Sequence, residues 1–316
     1  MVEKIAEFEL NKIYCMDAIE GLKKIPDNSV DLVLTDPPYN IGKDFDNDNL
    51  PKEDFLKWCE SWIVEVDRVL KVGGAVYLTL GWQCVAEIKI LFDKIKDLRL
   101  KNWIVWYRFD GWKGDNGFAQ SHEHILYFIK DNYFVEDLDD FAKIIKESRL
   151  KAGYKTISLL MEKMGLYKKI KRTNGTEDYR SGNGFFESAK KQPSLQEIIR
   201  LNELLELPEK YKVKIENVDL KRFGVLFNKT DVCDDVWLTP KSEKKRDGHP
   251  TQKPVKLFER IITASSNKGD VVLDCFIGSG TTAIACKRLG RKFIGFEINQ
   301  EFVNIANKRL QQEVLL

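Results

Sequence analysis

Two short apolar runs stand out along the chain, and each is followed by a cluster of polar, proline or glycine residues. Val30–Leu34 is interrupted only by Asp31, and Asp270–Cys275 (DVVLDC) is of similar length. Short apolar runs rich in β-branched side chains are typical of buried strands. Apolar residues at helical spacing predict a helix over Lys52–Leu70, and strands alternate with such helices along the chain. The pattern predicts an α/β fold with a Rossmann-like, doubly wound and mostly parallel sheet.

The same patterns predict the remaining elements, separated by loops that contain Gly, Pro, Asn or Asp. The strands Trp103–Arg108 and Glu123–Lys130 follow one another like an antiparallel pair. The other predicted strands are Glu9–Asp17, Ala75–Leu80 and Lys292–Glu297. The other predicted helices are Ala18–Lys24, Val85–Asp97, Phe141–Met164, Leu195–Leu205, Val255–Ser265, a helix ending near Leu289, and Glu301–Gln311.

Charge is distributed unevenly along a chain whose net charge is only +2. Residues 141–230 carry 20 Lys and Arg against 11 Asp and Glu, so the rest of the chain is net acidic. A local basic excess is typical of a phosphate-binding segment, although a solvated basic surface explains it as well. The stretch Lys168–Gly184 is basic and rich in small polar residues, and it is predicted to separate two helices. Its candidate phosphate contacts are Lys168, Lys169, Lys171 and Arg172.

Other residue types narrow the class of protein. Six scattered cysteines without a CxxC pair favour buried free thiols in a reducing compartment over disulfides or zinc. His122, Glu123 and His124 are adjacent, but no third histidine or cysteine ligand accompanies them, so a structural role is favoured and no metal site is predicted. No signal peptide or membrane-spanning run is present, so a soluble, cytoplasmic protein is expected.

The first candidate site follows the first apolar run, where the sequence reads Asp36-Pro37-Pro38-Tyr39. The prolines stop the strand and keep the backbone extended at its carboxyl end, where ligands bind in open α/β sheets. The carboxylate of Asp36 and the carbonyl of Pro37 can accept both hydrogens of the exocyclic amino group of a nucleobase. The ring of Tyr39, rather than its hydroxyl, can stack on that base. On this motif alone, a proline-rich surface turn is an equally weighted alternative.

The second candidate site follows the second apolar run. A glycine-rich turn and a helix lead to a strand that ends in an acidic residue, which is the order of a nucleotide-binding βαβ unit. Its G-x-G-x-x-A spacing fits NAD as well as S-adenosylmethionine, because both present a ribose to the acidic residue. Gly278 and Gly280 would let a ligand approach the backbone, and Glu297 could accept both ribose hydroxyls.

Three further polar segments flank these sites. Asp17 ends a predicted strand, where a ligand acceptor and a helix N-cap are equally weighted. Asn40–Pro51 is a polar loop that follows the first site and is a candidate lid. Gly248–Pro254 (GHPTQKP) is a loop punctuated by prolines before a predicted helix.

Three stretches together resemble the motifs of the DNA amino-methyltransferases. They are TDPPYNIGK, GHPTQKP, and DCFIGSGTTA followed by FIGFEIN, in the permuted order of the β group of that family. In this group the catalytic half comes first and the cofactor half comes last. The resemblance covers residues 10–130 and 230–312. It implies that S-adenosylmethionine is the cofactor and that double-stranded DNA, with one base flipped out, is the substrate.

The resemblance also implies roles for individual residues. Asp36, Pro37, Pro38 and Tyr39 would be catalytic and hold the flipped base, with Asp36 also close to the cofactor. Asp17 would meet the cofactor's adenine, and Thr251 and Lys253 would lie near its methionine end. The remaining residues of the implied cofactor site are Asp274, Phe276, Gly278, Gly280, Thr281, Thr282, Glu297 and Asn299. An Asp at the head of the tetrapeptide resembles the N6-adenine enzymes, whereas N4-cytosine enzymes more often begin with Ser.

The expected organisation has three parts. Residues 1–138 form the catalytic half, residues 139–235 an inserted, largely helical target-recognition region, and residues 236–316 the half that binds S-adenosylmethionine. The resemblance also allows a homodimer and a companion restriction endonuclease. An NAD-dependent oxidoreductase would explain the glycine-rich turn but not DPPY or HPTQKP. A non-catalytic DNA-binding module would explain only the basic region.

Overall fold

An eight-stranded mixed sheet lies at the centre of the larger of two units. The structure is a computed structural model. It describes residues 3–43, 47–112, 120–131, 138–155, 160, 163, 169–171, 177–179, 201, 204–205, 207–208, 236–238 and 251–313. Met1–Lys130 and Lys221–Leu316 together form the larger unit, and Asp131–Leu220 forms the smaller one.

The strands of the larger unit follow the chain with helices between them. A two-stranded ribbon of β1 (Lys4–Ile5) and β2 (Phe8–Glu9) comes first. The strands of the sheet are β3 (Lys12–Cys15), β4 (Val30–Thr35), β5 (Leu70–Leu80), β6 (Leu98–Trp112), β7 (Gln120–Lys130), β10 (Val236–Leu238), β11 (Val271–Asp274) and β12 (Lys292–Glu297). Their order across the sheet is β10-β6-β7-β5-β4-β11-β12-β3.

Only β7 runs against its neighbours, since it pairs antiparallel with both β5 and β6 and the remaining described pairs in this sheet are parallel. The helices of the larger unit lie between these strands along the chain or follow the last of them. They are α1 (Ala18–Lys24), α2 (Lys52–Val69), α3 (Val85–Asp93), α5 (Val255–Ser265), α6 (Thr281–Leu289) and α7 (Gln300–Gln312).

The apolar side chains of β4 alternate between the two faces of the sheet. Val33 packs in a core with α1, α2 and α3, whereas Leu32 and Leu34 pack in a second core with α5 and α6. All three side chains are fully buried. Burial on both faces explains why β4 is a nearly continuous apolar run, and it confirms the predicted α/β sheet with helices on both sides.

Three predicted helices and strands have the bounds that the sequence indicated, namely α1, α5 and β12. The helix predicted to reach Asp97 ends at Asp93, because the chain turns there and the amide of Lys94 donates to the carbonyl of Leu91. Strand β7 begins at Gln120, before its predicted start at Glu123, so His122 lies within it as well. The first difference replaces the end of a predicted helix with a turn, and the second lengthens a predicted strand.

The smaller unit is described only in part. Helix α4 covers Leu138–Lys151, where the sequence predicted Phe141–Met164. Strands β8 (Lys169–Lys171) and β9 (Glu177–Tyr179) form an antiparallel hairpin. This corrects the expectation of an irregular break over Lys168–Gly184. The helix predicted over 195–205 lies mostly outside the described residues, and the boundaries predicted at 138/139 and 235/236 stay predictions.

The described part of the chain contains no helix long and apolar enough to span a bilayer. Four of its five described cysteines are buried and Cys15 is exposed, and all five are free thiols. No cluster of potential metal ligands is found among the described residues.

Candidate active site

The two candidate sites lie at the same edge of the sheet because their strands are neighbours. β4 and β11 pair in parallel, with Leu32 opposite Val272 and Val33 opposite Leu273. Parallel strands end at the same edge, so Asp36 and the glycine-rich turn leave the sheet side by side. The two strands are therefore neighbours in the sheet despite their distance along the chain.

Asp36 follows β4 directly and lies within a cluster of side chains. Its Oδ1 accepts hydrogen bonds from the hydroxyl of Tyr39 at 2.6 Å and from the hydroxyl of Thr79, which lies in β5. Its Oδ2 accepts from the ammonium of Lys253 at 2.6 Å. The sequence predicted Asp36 as the central group of the site, and the structure shows that both of its oxygens are engaged by side chains.

Lys253 joins the two halves of the site. Besides its contact with Asp36, its Nζ lies 3.1 Å from the Tyr39 hydroxyl and 3.3 Å from Oε2 of Glu123. Burial acts to lower the pKa of Lys253, but the carboxylates of Asp36 and Glu123 outweigh burial and raise the pKa above its ordinary value. Lys253 is therefore a buried, charged group between two carboxylates.

Glu123 is a site residue that sequence reasoning missed. Its side chain is buried and lies near Lys253 and Tyr39. No signal in the sequence indicates this position, because it depends on β7 running antiparallel to β5, so that β7 begins at the edge where β4 and β5 end. The first residues of β7 therefore belong to the same edge as Asp36. In the sequence, Glu123 stands out only as a possible metal ligand between His122 and His124.

Tyr39 contributes both its ring and its hydroxyl to the site. Burial is the largest of the effects that raise the pKa of its hydroxyl well above the ordinary value, and the charge of Asp36 adds to it. The hydroxyl donates to Asp36, so the expectation that only the ring matters is incomplete. Gly81 permits the ring's position, since a Cβ there would lie 2.9 Å from it.

The glycine-rich turn faces the acidic residue at the end of β12. Glu297 accepts from the amide of Gly278 through Oε2 and from the amide of Asn299 through Oε1, both at 2.9 Å. Gly278 and Gly280 have φ values of +49° and +81°. A Cβ on Gly280 would also lie 2.9 Å from that of Ala306. These features fit a nucleoside whose ribose lies at the half-buried Glu297 carboxylate.

Two of the predicted cofactor residues lie beneath the turn. Asp274 and Thr282 are buried, and the Thr282 hydroxyl donates to Asp274. Asp274 also accepts from the Thr35 hydroxyl at 2.7 Å and from the Phe276 amide at 3.1 Å. Burial raises the pKa of Asp274 to about 7. These hydrogen bonds to Asp274 stabilise the turn and link β11 to β4.

Other predicted residues are placed around the turn. The Thr281 hydroxyl donates to the carbonyl of Lys253 at 3.2 Å, which links the turn to the HPTQKP segment. The ring of Phe276 lies 5.5 Å from that of Trp58 and 5.6 Å from that of Trp62. Asn299 is the N-cap of α7. These contacts hold the predicted residues together in one region of the larger unit.

Asp17 is the N-cap of α1, because its side chain accepts from the amides of Ile19 and Glu20. This confirms the N-cap interpretation and leaves a ligand contact untested. The residue follows β3, whose Cys15 pairs with Glu297, so it is close in register to the acidic end of β12. Asp17 also lines an open cavity of about 650 Å³ between the outer sides of α1 and α2, to which the glycine-rich turn does not contribute.

Some predicted residues cannot be placed. Lys168 and Arg172 lie outside the described residues, and so does the part of the HPTQKP segment before Thr251. Lys169 and Lys171 are described only as backbone in β8. The predicted DNA contacts and the role of Thr251 therefore stay predictions.

The family model described as DNA methylase, covering the N6 and N4 enzymes, matches residues 30–308. The chain belongs to this family. Type II methyltransferase M.HpaI of Haemophilus parainfluenzae is 30% identical over 307 residues, which are 96% of this chain and 74% of that protein. DNA adenine methyltransferase YhdJ of Escherichia coli K12 is 33% identical over 302 residues, which are 93% of this chain and 80% of that protein.

Solved structures show the same fold. A DNA modification methylase of Thermus thermophilus, complexed with S-adenosyl-L-methionine, matches with a TM-score of 0.55 and 22% identity over 96% of this methylase and 94% of that chain. The cytosine-N4-specific PvuII DNA methyltransferase matches with a TM-score of 0.55 and 16% identity, over 94% of this chain and 85% of that chain. At these identities the matches support the fold of the methylase and not its choice of base.

Proposed function

We propose that this DNA methylase transfers a methyl group from S-adenosylmethionine to the N6 amino group of adenine in double-stranded DNA. The observation that carries the proposal is the position of Asp36, a carboxylate at the carboxyl end of β4 beside the glycine-rich turn of β11. Two similar proteins support the choice of base and the choice of cofactor. YhdJ is named as an adenine enzyme, and a structural neighbour binds the proposed cofactor.

In the proposed reaction, Asp36 and the carbonyl of Pro37 accept the two amino hydrogens of the flipped base. These contacts favour the pyramidal amine, whose lone pair is available for attack, over the planar conjugated one. Positioning and hydrogen bonding supply most of the catalysis, so no strong base is required. In the proposal the nitrogen bonds to the methyl carbon as the bond from that carbon to the cofactor's sulfur breaks. The alkylated nitrogen has then become acidic and loses its proton to solvent.

The cofactor supplies an electrophilic methyl group. In the proposal, Glu297 binds its ribose, and Gly278 and Gly280 allow it to approach the backbone. Asp17 would meet its adenine ring. Thr251 and Lys253 would lie toward its methionine end, where Lys253 already contacts Asp36.

We also propose the permuted order of the β group, because the strand that leads to Asp36 precedes its neighbour β11 in the chain. Residues 1–138 and 236–316 would be the two halves of the catalytic domain. Residues 139–235 would be the inserted, largely helical target-recognition region. The basic excess of residues 141–230 supports DNA binding there, through contacts that include Lys168, Lys169, Lys171 and Arg172.

The proposal is tested by expressing the chain in a host that lacks N6 and N4 methylation and sequencing the DNA with detection of modified bases. We expect N6-methyladenine at one recurring sequence, and no modification from an Asp36→Ala control. N4-methylcytosine instead would refute the choice of adenine, since the same amine chemistry serves both bases. Unmodified DNA, from a folded protein that binds S-adenosylmethionine, would refute the proposed function.

A further inference from the structure

Asp36 is already well supplied with hydrogen-bond donors. One carboxylate oxygen accepts from the hydroxyls of Tyr39 and Thr79, and the other accepts from the ammonium of Lys253. A carboxylate has about four lone-pair positions, so about three are taken before a substrate arrives. The amino group of a base must therefore compete with these side chains for a single small acceptor.

Glu123 offers a second acceptor to two of the same donors. Its Oε2 lies 3.3 Å from the Lys253 ammonium and 3.4 Å from the Tyr39 hydroxyl. Both donors are closer to Asp36, at 2.6 Å in each case. In this arrangement Glu123 is the more distant partner of both groups, and a small movement of either donor would exchange one carboxylate for the other.

Burial makes that second acceptor necessary. Lys253 and Glu123 are 8% and 7% exposed. A buried ammonium without a carboxylate partner is strongly unfavourable, so Lys253 can loosen its contact with Asp36 only if another carboxylate receives it. Among the described residues, Glu123 is the second carboxylate that forms an ion pair with Lys253.

We propose that Glu123 is a positioning residue for methyl transfer, receiving Lys253 and the Tyr39 hydroxyl when the amino group of the target base binds Asp36. The inference rests on the proposed function, because it requires an amine at Asp36. It applies to adenine N6 and cytosine N4 alike. The exchange breaks no covalent bond and leaves the charge of the cluster unchanged.

Replacing Glu123 with glutamine separates its charge from its shape. In Glu123→Gln the amide can still accept a hydrogen bond, but Lys253 is left with one anionic partner in this cluster and stays bound to Asp36. Asp36 then becomes a weaker acceptor for the amine. The loss should appear in the rate of transfer and not in the binding of cofactor or DNA.

The experiment measures single-turnover methylation of unmethylated genomic DNA with labelled S-adenosylmethionine, using the whole 316-residue chain. For Glu123→Gln we expect the rate to fall about fivefold or more, with the affinities for cofactor and for DNA within about twofold of the parent values. Glu123→Asp keeps the charge and should recover part of the lost rate. Lys71→Met is the control, because it removes the lysine that pairs with Asp31 near the other end of β4. Its rate of transfer per folded molecule should stay within about twofold of the parent rate.

A Glu123→Gln rate less than about fivefold below the parent rate would overturn the inference, as would a loss confined to DNA or cofactor affinity. A Glu123→Asp variant no faster than Glu123→Gln would also overturn it. If Glu123→Gln does not fold, Glu123→Asp decides alone. Its shorter side chain places the carboxylate farther from Lys253, so we expect a rate about twofold or more below the parent, and a rate equal to that of the parent would refute the role. A parent protein that methylates neither base refutes the proposed function instead, and that result is obtained before any variant is made.

Discussion

The two ends of strand β4 each present a carboxylate that is paired with a lysine, but the two are held differently. Near the amino end, Asp31 accepts from Lys71 and from the backbone amide of Val271, both at 2.8 Å. Just past the carboxyl end, the hydrogen bonds to Asp36 from described residues come from side chains. These donors are Tyr39, Thr79 and Lys253.

The difference separates a structural carboxylate from one suited to chemistry. The amide of Val271 belongs to the neighbouring strand β11 and cannot rotate away, so Asp31 fixes β4 beside β11. Side-chain donors can rotate, and the Asp36 side chain is 20% exposed against 4% for that of Asp31. The same strand therefore has a carboxylate with a fixed hydrogen-bond donor at its amino end and one with exchangeable donors just past its carboxyl end.

The largest effect on activity is expected for Asp36→Ala. Methyl transfer should fall by about 100-fold or more, because the variant loses the acceptor that addresses the amine in the transition state. Cofactor affinity should stay nearly normal, and Lys253 keeps Glu123 as a partner. Single-turnover kinetics and calorimetry measure the two properties. A variant that methylates within about tenfold of the parent would show that Asp36 is only part of a turn.

The complementary variant is Asp31→Ala, whose effect should fall on stability. It leaves the Val271 amide buried without its acceptor, at a cost of about 1–3 kcal/mol in the free energy of unfolding. Loss of the Lys71 pair adds little, because that lysine is about a third exposed. Denaturant titration measures the cost. If the rate per folded molecule falls as much as in Asp36→Ala, the contrast between the two ends is wrong.

A third variant tests whether the comparison extends to β12. Glu297→Ala should weaken binding of S-adenosylmethionine by about 1.5–3 kcal/mol, the range for hydrogen bonds to a charged group. The fold should remain intact, since the acceptor is half-buried and the freed amides can reach water. Calorimetry on the free protein checks this. Unchanged affinity would remove Glu297 from the cofactor site.

The smallest effect is expected for Asp274→Asn, and it should appear in how the stability of the protein depends on pH. The pKa of Asp274 is raised to about 7 by burial, from an ordinary value near 4. Between these values the unfolded chain ionises while the folded protein stays protonated, so stability should fall as pH rises from about 4 to 7. Asparagine is neutral in both states and should flatten that slope. Unfolding measured at several pH values would contradict the assignment if the slope is the same in both proteins.

The sequence alone was sufficient for the elements whose pattern is local. The alternation of apolar positions located α1, α5 and β12, and the prolines after Leu34 marked the end of β4. What it could not supply is contact between distant segments. Nothing local to Glu123 indicates that it meets Lys253, because this depends on β7 running antiparallel to β5. The hydroxyl bond of Tyr39 to Asp36 was missed for a related reason, since stacking was inferred from the ring without the folded geometry.

The pairing of β4 with β11 has a consequence for how the chain can vary in length. The contact between Thr35 and Asp274 closes a loop of more than two hundred residues, and that loop includes the whole smaller unit. The entropy lost on closing a long flexible loop grows only with the logarithm of its length, at about 0.6 kcal/mol for each doubling. Insertions or deletions in the loops between the two strands are therefore thermodynamically mild, provided that the strands and helices in between keep their own contacts.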